Sequence, residues 1–204
     1  LNNWGTLTIR DTVGTGEVNA RGIYNGYDAN GNHVATAELT VEGGNFNAKG
    51  TNGGAAIFNY GVAVINGGNF TSIGGYSLNN QNGSSMTVAA GVTANNGIYA
   101  SGATVTVNGG EISGNRSGCH VVYAWDSQLT INGGTFEGTH GIIGSYGTTT
   151  INGGTFTLNA FADGQAPTGH HIYCTSGTVT VSDNAVFGGV EYKEYTKDNG
   201  VINK

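Results

Sequence analysis

Apolar and polar positions alternate in short bursts along the chain, and the same burst returns every twenty-odd residues. Leu7-Thr8-Ile9, Leu39-Thr40-Val41, Val105-Thr106-Val107 and Leu129-Thr130-Ile131 each place two aliphatic side chains on one face and threonine on the other. That period of two predicts a short strand with one face buried. A glycine pair commonly follows, as at Gly43-Gly44, Gly67-Gly68, Gly109-Gly110, Gly133-Gly134 and Gly153-Gly154. A second short strand then carries Phe46, Phe70, Ile112, Phe136 or Phe156. After a polar stretch comes a third: GIYN from Gly22, AIFN from Ala56, YSLN from Tyr76, GIYA from Gly97, VVYA from Val121, GIIG from Gly141 and HIYC from His171.

The β-branched residues before the turns are Ile9, Val41, Ile65, Val88, Val107, Ile131, Ile151 and Val181, spaced by 32, 24, 23, 19, 24, 20 and 30 residues. A floor near 20 residues with occasional insertions marks a solenoid coil carrying variable loops. The expected fold is all-β: a single-stranded, right-handed parallel β-helix of about eight coils with three short strands in each. Hydrogen bonds between coils about 4.8 Å apart would stack like residue on like. Leu7, Leu39, Met86, Val105, Leu129 and Val179 then form one interior rank, the Ile/Val series a second and the Phe/Ile series a third. Asn25, Asn59 and Asn79 are expected to form an asparagine ladder, hydrogen-bonded from coil to coil. The helix is assigned to residues 1–187, with insertions near 24–37, 115–127 and 159–170. Residues 188–204 are expected to cap its end or to begin another module; the uncovered first coil suggests a fragment of a longer protein.

Composition narrows the class. Glycine contributes 38 of 204 residues and proline one, which fits repeated turns and excludes collagen. With 37% hydrophobic and 10% charged residues, disorder is excluded too. The net charge of −6 comes without a basic stripe, so nucleic acid is not an expected partner. No apolar run is long enough for a membrane span, and a monomer is expected. Two cysteines, Cys119 and Cys174, are too few for a disulfide framework.

The repeated INGGTF at Ile131–Phe136 and Ile151–Phe156, with the AIFN-type segments, resembles the pectate-lyase-like right-handed β-helix domains of large surface proteins from Gram-positive gut bacteria. The resemblance spans Leu7 to about Phe187 and lies in core and turn residues. It implies a secreted or wall-anchored setting and an adhesive role.

Several constellations compete for function. Tyr24, Phe58, Tyr99, Tyr123 and Tyr173 share one position of the third strand. If the flanking aliphatic and Asn residues point inward, the rings form an outward stripe, which Trp125 and Tyr146 would extend. In the opposite register the rings join the core. An outward stripe suits sugar rings or a protein surface, so Tyr99, Tyr123, Trp125, Tyr146 and Tyr173 are the candidate ligand-binding residues.

His120, His140 and His170 each lie two residues before the central apolar residue of a third strand and should stack on successive coils, with His171 beside them. Neighbouring imidazoles at that spacing suit zinc; the plainer reading is a stacked row at a bend. Asp28, Asn30 and Asn32 alternate as calcium ligands do, although a hairpin with its tip at Asn30-Gly31 accounts for them more simply. A threonine face (Thr8, Thr40, Val64, Thr87, Thr106, Thr130, Thr150, Thr180) is interrupted only by Val64, but the row beside it is broken by Glu38, Val62 and Gln128. An enzyme cutting polysaccharide needs converging carboxylates, and Glu111, Asp126, Glu137 and Asp163 occupy different coil positions and are not expected to gather. The function expected is therefore a non-catalytic extracellular module without a cofactor, holding a glycan or host surface protein through a lateral face. A carbohydrate-active β-helix and a passive spacer are the alternatives.

Overall fold

A computed structural model describes residues 1–50 and 54–204. They form an all-β parallel solenoid of about eight turns. Strand i of one coil bonds to the equivalent strand of the next; Thr6–Ile9 pairs with Glu38–Val41, Glu17–Ala20 with Asn45–Ala48, and Ile23–Asn25 with Ile57–Asn59, all parallel. The expected interior ranks are in register, for example Val107 with Ile131 and Ile151 with Val181. Strands run together at several corners: Val62–Ser72 and Ser85–Asn95 join the first and second sheets, while Val122–Ile131 and Ile143–Ile151 join the third and first.

The glycine pairs make the corner between the first two sheets. Gly68 has φ +117°, and an added Cβ would lie 2.9 Å from the Gly44 carbonyl oxygen one coil below. Only glycine meets both demands. Beyond the corner, aromatic rings fill the interior. Phe46 stacks on Phe70 and Phe136 on Phe156, each at 4.8 Å between centroids, the coil spacing itself. All four rings are buried. Each contributes about 1.5–3 kcal/mol by leaving water.

The buried asparagine ladder exists, but through Asn80 and not Asn79. Asn3 donates to Asn25, Asn25 to Asn59 and Asn59 to Asn80, at 2.7, 2.7 and 2.5 Å. Asn59 pairs with Asn80 in register, and Asn79 faces outward opposite Phe58. The inward aliphatic of the YSLN segment is Leu78, partner of Ile57, which sets Asn80 one residue further on as the partner of Asn59. Residues 188–204 continue the ladder: Glu194–Lys197 pairs with Ile172–Thr175, and Val201–Asn203 with Thr178–Val181. Glu194 stands opposite Ile172, so the apolar rank ends there in an exposed carboxylate paired to Lys204 at 2.7 Å.

Candidate binding face

The third strand decides the orientation of the rings. In Ile23–Asn25 and Ile57–Asn59 the outer two residues are buried and the aromatic between them is half-exposed. In Ile98–Ser101, Ile98 and Ala100 are buried while Tyr99 is half-exposed. Strand alternation therefore turns the aromatic rank outward. In register it reads Tyr24, Phe58, Asn79, Tyr99, Tyr123, Gly144, Tyr173, Tyr195.

Asn79 divides this rank into two clusters. Near the first coils, Tyr24 stacks on Phe58 at 4.8 Å, and Tyr27, His33 and Tyr60 pack beside them. These rings anchor the hairpin closed by the antiparallel bridge between Tyr27 and His33. The larger cluster runs from Tyr76 to Tyr195. Tyr76 meets Tyr99 at 5.5 Å, Tyr99 stacks on Tyr123 at 5.7 Å, and Tyr173 stacks on Tyr195 at 5.2 Å. Tyr146 touches Tyr123, Trp125 and Tyr173 at 5.3, 4.7 and 6.1 Å. All five candidate ligand-binding residues therefore belong to one continuous strip.

Gly144 would leave a gap in that strip, and His120 fills it. An added Cβ at Gly144 would sit 2.6 Å from His120 Nδ1 and 2.9 Å from the Tyr123 ring. The imidazole lies between Tyr123 at 5.8 Å and Tyr173 at 5.6 Å. Its Nδ1 is buried without a hydrogen-bond partner among the described residues. Burial, with His170 nearby, lowers its pKa to about 4, so the ring is neutral at pH 7. Burial, reinforced by the Tyr146 phenol, raises the Tyr123 hydroxyl above its ordinary value.

The histidines do not form the expected row. Val122 pairs with Ile143, not Ile142, which puts Gly141 in line with His120 and His170 and shifts His140 by one residue. His140 instead packs on Phe161 of the 159–170 insertion at 5.0 Å. His171 is fully buried; its Nε2 faces the Gly188 carbonyl at 2.9 Å, and its Nδ1 accepts from Lys193 N–H at 3.2 Å. Both of its ring nitrogens are thus engaged, and only His120 and His170 share the strip.

In the first insertion, Asp28 Oδ1 accepts the N–H groups of Asn30 and Asn32, both at 2.8 Å, and Oδ2 accepts from the Asn32 amide at 3.0 Å. The bonds from Asn32 lower the Asp28 pKa. The hairpin tip falls at Gly31, with φ +84°. The carboxylate thus closes the loop, with the Asn32 side-chain amide donating to it.

The carboxylates depart from expectation. Glu111 pairs with Thr135, and Ser113 with Glu137. The two acids therefore lie diagonally on neighbouring coils and line one cleft of about 390 Å³ on the second sheet, with Thr93, Asn95 and Thr135. Glu137 accepts a hydrogen bond from Asn159 at 2.6 Å. The threonine face is also in register, with Thr87, Thr106, Thr130 and Thr150 on successive coils.

Sequence reading missed Tyr76, Tyr195 and His120 as members of the strip. Tyr76 precedes its strand, and the Arg116 guanidinium lies 5.8 Å from its ring centroid. Tyr195 lies in the segment expected to cap the helix or to begin another module. No signal short of the register itself points to His120.

Fold and face together define a parallel β-solenoid with an aromatic lateral strip. No family profile, curated protein or solved structure matches the chain.

Proposed function

We propose that this protein is a non-catalytic binding module of a larger secreted or cell-surface protein, and that it holds a glycan or a host surface protein against its aromatic strip. The observation that carries this reading is the outward run of rings from Tyr76 to Tyr195, crossing successive coils on one face. Rings fixed on a β scaffold offer contact area at little entropic cost. Tyr99 and Tyr123 are nearly parallel, at 8°. Each covers one face of the other, and Tyr76 packs on Tyr99 and Tyr146 on Tyr123 from the far sides, so a partner meets ring edges and phenol hydroxyls, a surface both apolar and hydrogen-bonding. The resemblance to pectate-lyase-like surface domains supports the extracellular setting and remains part of the proposal. The test is an array of glycans and host surface proteins probed with wild type and with the Tyr99→Ala/Tyr123→Ala double variant. Binding by wild type and loss in the variant is expected; full binding by the variant would refute the strip.

A second reading rests on Glu111 and Glu137. Diagonal neighbours on a sheet lie about 7–8 Å apart, close enough for two glutamate side chains to set their carboxyls at the roughly 6.5–9.5 Å that inverting glycosidases use. Release of reducing ends from a polysaccharide panel, abolished by Glu111→Gln and by Glu137→Gln, would favour that enzyme over the binding module.

A further inference from the structure

Trp125 is the most exposed ring of the strip, ahead of Tyr195 at its end (48% against 43%), and it keeps a face free in mid-strip. Trp125 lies in a rank that reads Gln81, Ser101, Trp125, Tyr146 over successive coils. Its indole stacks on Tyr146 at 4.7 Å and 30°, yet 48% of the residue is exposed. The covered face is the one toward Tyr146, so the open face looks along the solenoid over Ser101, whose side chain is too short to reach it. The next large side chain in that direction is Gln81. Its amide is turned within its own coil to donate to Asn79 at 2.7 Å. Between Trp125 and Gln81 the rank therefore leaves a slot two coils wide, about 9.6 Å. A ring seated midway lies about 4.8 Å from the indole, the distance at which Tyr146 stacks on its other face (4.7 Å).

The slot is also rigid and polar-edged. The Trp125 carbonyl accepts from Gly102 N–H at 2.9 Å and from Ser127 Oγ at 2.7 Å, which fixes the backbone beneath the indole. Immediately after Trp125 the ladder shifts register, and Asp126 takes φ +46°. Such bulges re-aim side chains at sites of contact. The Ser101 hydroxyl and the Gln81 and Asn79 amides supply donors and acceptors around an apolar face. That pairing fits a saturated ring with C–H groups on its face and hydroxyls on its rim. The charge adjoining Trp125 in the chain is the acidic Asp126, which disfavours uronic and sialic acids.

We infer that the slot between Trp125 and Gln81, floored by Ser101, is a subsite for one neutral pyranose ring. This rests on the aromatic strip being the contact surface, and it narrows the partner to a neutral glycan. The test is quenching of tryptophan fluorescence in the full chain carrying Trp4→Phe, titrated with glucose, galactose, mannose and N-acetylglucosamine oligomers. Ser101→Tyr fills the slot and is followed in the same way. Trp125→Ala removes the reporter, so it is followed by calorimetry with the same sugars. A thermal melt of each variant verifies folding, and Thr106→Ala on the threonine face serves as control.

At least tenfold weaker binding in Trp125→Ala and in Ser101→Tyr, with the control unchanged, is the expected result. Wild-type affinity in Trp125→Ala or Ser101→Tyr overturns the subsite while leaving the strip as a contact surface. Failure of wild type to bind any of these neutral sugars also overturns the subsite. The array then decides the broader reading separately, because a protein partner or an acidic glycan would still register there.

Discussion

Cutting the buried asparagine ladder at Asn59 tests the register on which every placement above depends. The Asn59 side chain makes five hydrogen bonds, and Asn59→Ala removes all of them: the bond from Asn25, those to Asn80 and Ser85, and two with Gly61. Not every partner is stranded. The Asn25 amide keeps the Val62 carbonyl at 3.0 Å, and Asn80 Oδ1 keeps the Ser84 hydroxyl at 2.9 Å. The buried Gly61 N–H, 3.2 Å from Asn59 Oδ1, loses this acceptor. An orphaned buried donor costs about 1–3 kcal/mol, and the void left by the amide adds about 1 kcal/mol. A total of about 2–4 kcal/mol is expected. In a solenoid such a loss is local before it is global. Hydrogen exchange should therefore accelerate first in Ile57–Asn59 and Leu78–Gln81, alongside a lower urea midpoint. Asn79→Ala is the matched control. Its side chain faces outward and accepts one bond, from Gln81, so its cost should stay within about 0.5 kcal/mol. Equal costs for the two variants, or a cost below 0.5 kcal/mol for Asn59→Ala, would refute the register.

Two further outcomes follow from His120 and Gly144. Gly144→Ala forces a Cβ into the His120 ring and should destabilise by about 1–3 kcal/mol, read as a lower Tm with the imidazole displaced from Tyr123 in NMR spectra. His120 has a folded pKa of about 4, below its unfolded value near 6.5. The unfolded state therefore binds the extra proton between those values, and stability must fall as pH drops through that window. The loss from pH 7 to pH 4 is about 3 kcal/mol at most for this group. Chemical denaturation of wild type and His120→Gln at both pH values measures it. The variant should show a shallower loss, and identical pH dependence would contradict a buried neutral imidazole.

The coil and its core were legible because their signals are redundant. A Thr flanked by two aliphatics, a glycine pair and a phenylalanine recur together, and each fixes the same register. The third strand carries less information. Ser77 before Leu78, and Ile142 before Ile143, are buried as well as the residues that point to the core. Two buried neighbours erase the period of two, and the sequence pattern of each segment fits a register one residue from the true one. That one-residue difference separates Asn79 from the ladder and His140 from the line of His120. The diagonal proximity of Glu111 and Glu137 is hidden for a different reason: it requires both the register and the turn lengths. Whether the tyrosines faced outward was open in the sequence. The buried Ile and Asn residues on either side of them settled it.

The claim most in need of measurement is that the aromatic strip, and no other face, meets the partner. Calorimetric titration of the strongest array ligand should compare wild type with two triple variants: Tyr99→Ala/Tyr123→Ala/Tyr173→Ala on the strip, and Thr87→Ala/Thr106→Ala/Thr130→Ala on the threonine face. Losing even one hot-spot contact of about 2 kcal/mol weakens binding roughly thirtyfold, so the strip variant should bind at least that much more weakly, with the threonine variant unchanged. A strip variant that binds like wild type, or a threonine variant that does not, would contradict the account.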